Sequence, residues 1–323
     1  MAKVSIIIPI YCVEQYIERC LQSVMEQAYS DIECIIVDDC TTDNSIQKCE
    51  QMIANYNGSI EFKVLHHNRN KGLSAARNTG TLAATGDYLY YLDSDDWINK
   101  DCIKDLINVA EYDSSVEMIM GGIYKVGDNT QWDFFLKKGI YTSNLIEYTC
   151  QNNIYAMAVN KLIRIDFIKK NKILFKEGLL HEDILWSMQM SCYLKKMASV
   201  ENITYYYRIR EGSIQTNNSK ETHFKHLGEV KTSLINFVFE NGFSSNKTLF
   251  DYITTDLPSF ICCKKQLAVS FYNTFRECPY WTIAEQKKFG TRRRLLVLSL
   301  NRYLPKAIGL YYYRIMYKLL LTK

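Results

Sequence analysis

The chain has 323 residues, 47% hydrophobic and 23% charged, which excludes a disordered chain and places it among globular proteins. Its length suits one large domain or two smaller ones. The formal net charge of +4 is uneven: residues 286–323 hold ten Lys/Arg and no acid, leaving 29 basic against 35 acidic residues elsewhere.

The first element is an apolar run at 4–8, a buried strand stopped by Pro9. Over 14–27, Val13, Tyr16, Ile17, Cys20, Leu21 and Val24 recur at helical spacing. A second strand at 33–37 ends in Asp38 and Asp39, and Thr42-Asp43-Asn44-Ser45 has the composition of an N-cap. The helix it opens runs to residue 56. A strand at 62–65, an Ala-rich helix at 73–84, a strand at 88–92, a helix at 100–111 and a strand at 116–120 follow. Strand-helix alternation with short connections predicts an α/β fold, a mostly parallel sheet with helices on both faces. Such sheets bind ligands beyond the carboxyl ends of their strands.

Those ends carry Pro9-Ile10-Tyr11, Asp38-Asp39 and Asp93-Ser94-Asp95-Asp96. Asp93 and Asp95 are two apart, so on extended backbone they project to one side. Like charges that close raise each other's pKa unless a cation intervenes. A hard divalent ion with a substrate phosphate on its far side would relieve them; the alternative is a solvated acidic turn. Tyr11 either stacks on a base or covers the sheet end. Asp39 either accepts from the N3–H of a uracil or, with Asp38, caps the next helix. No Gly-x-x-x-x-Gly-Lys or Gly-x-Gly-x-x-Gly occurs, so neither a P-loop nor a dinucleotide fingerprint is supported.

Four ordered blocks carry a resemblance: Val-Ser-Ile-Ile-Ile-Pro-Ile-Tyr11, Ile-Ile-Val-Asp-Asp39, Asn70-Lys-Gly-Leu-Ser-Ala-Ala-Arg-Asn78, and Gly86-Asp-Tyr with Leu-Asp-Ser-Asp-Asp-Trp97. Together they resemble the family 2 glycosyltransferases, inverting, metal-dependent nucleotide-sugar enzymes of the GT-A fold. The resemblance implies that Pro9, Tyr11 and Asp39 hold the uracil, with Asp38 and Lys71 beside them. It implies that Asp93 meets the ribose and, with Asp95, the metal and diphosphate. Gly72, Arg77 and Asn78 match the third block; Arg77 either steadies the nucleotide-side loop or pairs with the acids. Two departures stand out. Cys12 replaces the usual Asn, and Cys40-Thr41 replaces the usual Gly-Ser. Glycine there would allow positive φ, so a differently shaped turn is expected.

Residues 121–215 are expected to carry the acceptor side. Asn160-Lys161-Leu162 and Arg164 precede a helix at 166–171, and Glu182-Asp183 open an apolar helical run containing Trp186. An acceptor hydroxyl is a poor nucleophile and needs a base opposite the leaving group. The resemblance places that role on Asp183, with Glu182 second. The plain alternative is two favourable charges at a helix N-terminus. His181 is either a metal or diphosphate partner or a packing residue. After a strand at Tyr205-Tyr-Tyr-Arg, Arg208, Arg210 and Ser213 are candidates to screen a diphosphate, against an edge strand with solvated arginines. The expected domains are 1–215, catalytic, with a nucleotide-sugar half (1–100) and an acceptor half (101–215), and 216–323, a helical basic region.

In the tail, Lys287, Lys288, Arg292, Arg293, Arg294, Arg302, Lys306, Arg314 and Lys318 alternate with Leu and Tyr clusters. That mixture reads as helices lying on an anionic bilayer, or as packed helices with a solvated basic face. It exceeds what a phosphate-tracking surface needs, so nucleic acid is not expected. Eleven cysteines lack any Cys-x-x-Cys or Cys/His ligand spacing, the pattern of reduced thiols in a cytosolic compartment. With no leader peptide and no spanning run, the expected place is cytoplasmic, peripheral on the inner membrane. The expected activity moves one sugar from a UDP-sugar to a hydroxyl of a lipid-linked glycan in bacterial surface polysaccharide synthesis, with Mn²⁺ or Mg²⁺. A sugar-nucleotidyltransferase would show a Gly-rich basic loop after the first strand, where this chain has Pro9-Ile-Tyr-Cys-Val13. A non-catalytic nucleotide-sugar-binding scaffold would leave the base dispensable.

Overall fold

The computed structural model describes residues 1–127, 133–210 and 219–243, with Asn246, Thr248, Leu249, Tyr252 and Ile253 beyond them. The first compact unit takes Met1–Gly178 and Met190–Glu211. It opens with β1 (Val4–Ile10), α1 (Ile17–Met25), β2 (Ile32–Asp38), α2 (Ser45–Ala54), β3 (Glu61–His66), α3 (Leu73–Ala83) and β4 (Tyr88–Tyr91). β5 (Trp97–Ile98), α4 (Cys102–Tyr112), β6 (Met118–Val126), β7 (Asp133–Phe134), β8 (Gly139–Tyr141) and α5 (Leu145–Cys150) follow. β9 (Lys161–Arg164), α6 (Ile165–Asn171), α7 (Glu182–Tyr193) and β10 (Met197–Arg208) complete the series, although the first eight residues of α7 cluster with the second unit. Among the described residues the strands form one sheet in the order β3-β2-β1-β4-β9-β6-β10-β5, with β7 on β6 and β8 on β10. β3, β2, β1 and β4 run parallel, as the alternation predicts. β9 enters antiparallel to both β4 and β6, so the sheet is mixed.

β1 is buried at every position and β2 at all but its last, the mark of strands covered on both faces. α3 packs on β1 and β2. At Gly80 a Cβ would stand 2.5 Å from Ile7 Cγ2. Only a glycine lets α3 lie that close to β1, and one turn earlier the same helix carries Arg77.

At the opposite, amino end of these strands Glu33 of β2 ties three segments together. Its carboxylate accepts from the Ser5 hydroxyl of β1, from the Thr85 amide and hydroxyl at 2.6 and 2.9 Å, and from the Gly86 amide at 3.0 Å. The Thr85–Gly86 turn feeds β4. Burial pushes the Glu33 carboxyl up, but the Ser5 and Thr85 hydrogen bonds outweigh it and hold the group below its ordinary value. A depressed carboxyl stabilises the fold above its unfolded pKa, and that contribution fades as pH falls. Glu33→Gln will therefore cost about 1–3 kcal/mol near neutrality. Urea unfolding at pH 7 and at pH 4 checks this: the gap between wild type and variant should shrink at the lower pH.

The second unit comprises Leu179–Gln189 with α8 (Lys220–Glu240) and the described residues beyond it. Ser219 caps α8, its hydroxyl accepting the Thr222 amide at 3.1 Å. Val230, Leu234, Ile235 and Val238 form its buried stripe. Among the described residues no helix is long and apolar enough to cross a membrane. Most of the expected helical region beyond α8, and the whole basic tail, lie outside the described residues.

Candidate active site

The carboxyl ends of β1, β2 and β4 gather the rim residues. β1 registers Pro9 against Val37 and Ile10 against Asp38, and Pro9 is buried within the strand. Tyr11, just past its end, is 47% exposed, so its ring is free to take a planar ligand. Cys12 and Cys40 have φ of 51° and 59°. Both turns thus adopt the left-handed conformation without the glycine that would ease it. The Cys12 amide donates to Thr41 Oγ1 at 2.8 Å and the Thr41 amide to Asp38 Oδ1 at 2.8 Å. These bonds hold the strained residues where a differently shaped turn was expected.

Asp38 serves this turn and His66, whose Nδ1 lies 3.0 Å from its Oδ2. Asp39 is buried and fastens the loop before α3. It accepts from the Lys71 amide at 2.8 Å and the Gly72 amide at 2.7 Å. Lys71 thus meets Asp39 through its backbone, and the residue itself is exposed. His67, which the sequence reading passed over, lies between two partners: Nδ1 is 2.6 Å from Asp39 Oδ1 and Nε2 is 2.8 Å from Thr79 Oγ1. Removing that buried link will cost about 1–3 kcal/mol, so urea denaturation of His67→Ala should show a lower midpoint; an unchanged one would show that the link is idle.

β4 stops at Tyr91 and the acids follow on a turn, not on extended backbone. The Asp96 amide donates to the Asp93 carbonyl at 3.0 Å. The alternation argument for Asp93 and Asp95 fails here, yet the expected electrostatic coupling is present. Burial, then the Asp93 charge, pushes the Asp95 carboxyl up. Burial, then Asp95 and Asp93, pushes buried Asp96 far above the ordinary carboxylate range. Each acid has a separate partner. Arg77, itself buried, donates to Asp93 Oδ1 at 2.8 Å, so of the two roles open to it the structure shows the pairing with the acids. Arg210 Nε donates to Asp95 Oδ2 at 2.6 Å. Asp96, unassigned by the sequence reading, accepts from the Tyr205 hydroxyl at 2.6 Å and the Arg208 amide at 2.7 Å. It thereby clamps β10 to the acidic turn.

Arg208 adds a bond from Nε to the Asp95 carbonyl at 3.1 Å, and its guanidinium lies 4.9 Å from the Trp97 ring centroid. Arg19 of α1 stacks on the same ring at 3.4 Å. Arg208 and Arg210 both lie about 5 Å from the Tyr16 ring. The result is a cationic and aromatic rim beside three carboxylates. Ser213 lies outside the described residues. Arg77 also lies 5.3 Å from the Phe175 ring. Next to it Asn78 holds the Phe175 backbone from both sides, accepting its amide at 2.9 Å and donating to its carbonyl at 2.8 Å.

In the second unit Glu182 and Asp183 form the first turn of α7. Asp183 Oδ1 accepts the Ile184 amide at 2.9 Å. His181 pairs with His223 across 2.9 Å, and burial holds its pKa below the usual value. His226 Nδ1 accepts the Leu180 amide at 3.1 Å.

Among the described residues no three His, Cys, Asp or Glu side chains converge as a ready-made metal cage. The acidic turn instead offers a few repelling, desolvated carboxylates. That donor set fits an ion completed by substrate phosphate and water.

The family description Glycosyl transferase family 2 matches residues 5–171. Glycosyltransferase GlyA of Streptococcus pneumoniae is 29% identical over 226 residues, which cover 66% of this chain and 31% of its own length. Poly(ribitol-phosphate) beta-N-acetylglucosaminyltransferase TarS of Staphylococcus aureus is 31% identical over 221 residues, 66% of this chain and 36% of its own. The chain thus spans about a third of the length of these curated relatives. The crystal structure of S. aureus TarS 1-349 in complex with UDP-GlcNAc matches with a TM-score of 0.68 at 22% identity, covering 98% of this chain and 90% of that one. That likeness shows the fold, the expected GT-A arrangement.

Proposed function

The chain belongs to glycosyl transferase family 2, and from that premise we propose that it is an inverting transferase. It moves a single sugar from a UDP-sugar to a hydroxyl of a lipid-linked glycan in bacterial surface polysaccharide synthesis. The observation that carries the reading is the acidic turn after β4, where Asp93, Asp95 and Asp96 crowd together, Asp93 paired with Arg77, Asp95 with Arg210, and the Arg208 guanidinium beside them on the Asp95 carbonyl. A site that must hold both a cation and a diphosphate needs both signs of charge within one turn. The crystal structure of TarS with UDP-GlcNAc supports the UDP-sugar as donor.

In this reading Tyr11 stacks on the uracil, and Asp39, with Pro9 and Lys71 beside it, sets the position of the base. Asp93 takes a ribose hydroxyl. Asp95 with Asp93 would hold Mn²⁺ or Mg²⁺, which neutralises charge on the leaving diphosphate when bound. Arg208 and Arg210 screen that diphosphate, with Ser213 as the third candidate for that role. Asp183 removes the proton of the acceptor hydroxyl as it attacks the anomeric carbon, and UDP departs on the opposite face; Glu182 is the second candidate. The catalytic part is 1–215. The stretch at 216–323 lays its basic, leucine-rich end on an anionic membrane surface, which makes the enzyme cytoplasmic and peripheral. Vesicles of mixed anionic lipid should sediment the full chain but not a chain ending at Gly290; equal sedimentation would count against the membrane role.

Incubation with UDP-, GDP- and dTDP-sugars and Mn²⁺ tests the central reading. Slow hydrolysis of a UDP-sugar is expected. Inertness toward every nucleotide sugar, with no UDP binding by a folded sample, would overturn it.

A further inference from the structure

Asp95, the carboxylate assigned to the metal, is already engaged. Its Oδ2 accepts from Arg210 Nε at 2.6 Å, and the two side chains are 21% and 20% exposed. The engagement is built in. Arg210 follows β10, whose end is fixed to the acidic turn by the Arg208 amide on Asp96 and by Arg208 Nε on the Asp95 carbonyl. The Arg210 guanidinium lies 5.1 Å from the Tyr16 ring, which keeps it near the turn. A divalent ion at Asp95 would meet this guanidinium at close range, cation against cation. Arg210 holds one of the two Asp95 oxygens, so an ion on the other would share the carboxylate's charge with a fixed cation. An incoming diphosphate offers the guanidinium a second anion whose oxygens suit its forked donors.

We propose that Arg210 is exchanged between two anions. It occupies Asp95 in the nucleotide-free protein and the donor's diphosphate in the loaded one, so that metal and nucleotide bind with strong positive coupling. Free enzyme then takes up metal poorly, and nucleotide arriving with its metal draws Arg210 off Asp95. Linkage is reciprocal, so metal must raise nucleotide affinity by the same factor. The inference rests on the reading of Asp95 as a metal ligand given above.

Mn²⁺ titration followed by the EPR signal of the free ion, with and without UDP, tests it on the full-length chain. Wild type, Arg210→Ala, Arg210→Lys and Asp95→Asn are compared after thermal melts verify folding. Without UDP, Arg210→Ala should bind Mn²⁺ about tenfold more tightly than wild type. UDP should then enhance Mn²⁺ binding far less in Arg210→Ala than in wild type, with Arg210→Lys between them. Unchanged or weaker Mn²⁺ binding by both Arg210 variants without UDP overturns the exchange, as does an unchanged UDP enhancement. Failure of the underlying reading looks different: Asp95→Asn would then bind Mn²⁺ as wild type does in the presence of UDP.

Discussion

Replacing Asp95 by alanine will leave a folded protein that no longer binds UDP in a metal-dependent way and no longer turns over a UDP-sugar. The reason for intact folding is the exposure of the pair it breaks. Asp95 and Arg210 are each about one-fifth exposed, and partly solvated ion pairs contribute about 0–1 kcal/mol. The reason for lost function is that charge developing on the leaving diphosphate loses its preorganised counter-charge. A single such electrostatic group supports roughly 10²–10³ of rate. Calorimetry with UDP and Mn²⁺, beside turnover, checks both halves. Asp96→Ala should behave in the opposite way. Asp96 joins the acidic turn to Tyr205 and the Arg208 amide, so its loss should appear first as a lower melting temperature. Wild-type turnover by Asp95→Ala would remove the acidic turn from the chemistry altogether.

Asp183→Asn is expected to keep UDP binding and lose sugar transfer by about 10²–10⁴, the range of a general base. An amide of the same shape still accepts the Ile184 amide at 2.9 Å, so the start of α7 should persist. The informative pair of measurements is the affinity for UDP, unchanged, and the rate constant for transfer to acceptor, reduced. Transfer at near wild-type rate would move the assignment to Glu182, where Glu182→Gln is the next variant.

The sheet was legible in the sequence wherever a local signal sufficed. Paired acids end β2 and a run of Tyr and Leu without breakers gives β4, whereas Pro9, expected to stop β1, stays inside it and the strand runs on to Ile10. What escaped depends on partners distant in the chain. β5 is two residues long and exists because Trp97 and Ile98 meet Tyr206 and Tyr205. β9 is only Lys-Leu-Ile-Arg, too short and too charged to announce a strand; its antiparallel direction follows from how the chain returns between β4 and β6. The same limit governed the site. Asp-x-Asp spacing singled out the acidic turn, but the alternation argument behind it does not apply, since the backbone there is bent. Asp96 reads in the sequence as a third acid of the motif, whereas its bonds to Tyr205 and the Arg208 amide make it a tie to β10. His67 carried no motif at all. Its part emerges when β2 and β3 lie side by side and bring it to Asp39. Cys40 shows the converse: the residue argued against a left-handed turn, and the hydroxyl of its neighbour Thr41 supports one.

The knot around Glu33 has a consequence for how such a chain can diversify. It fastens the amino ends of β1, β2 and the entry to β4, while the residues proposed to touch donor lie at or beyond the carboxyl ends. Architecture and chemistry occupy opposite poles of the same strands. Sugar preference can drift through the rim loops without loosening the keystone, and a designer seeking heat resistance can reinforce the far pole without disturbing what the near one selects.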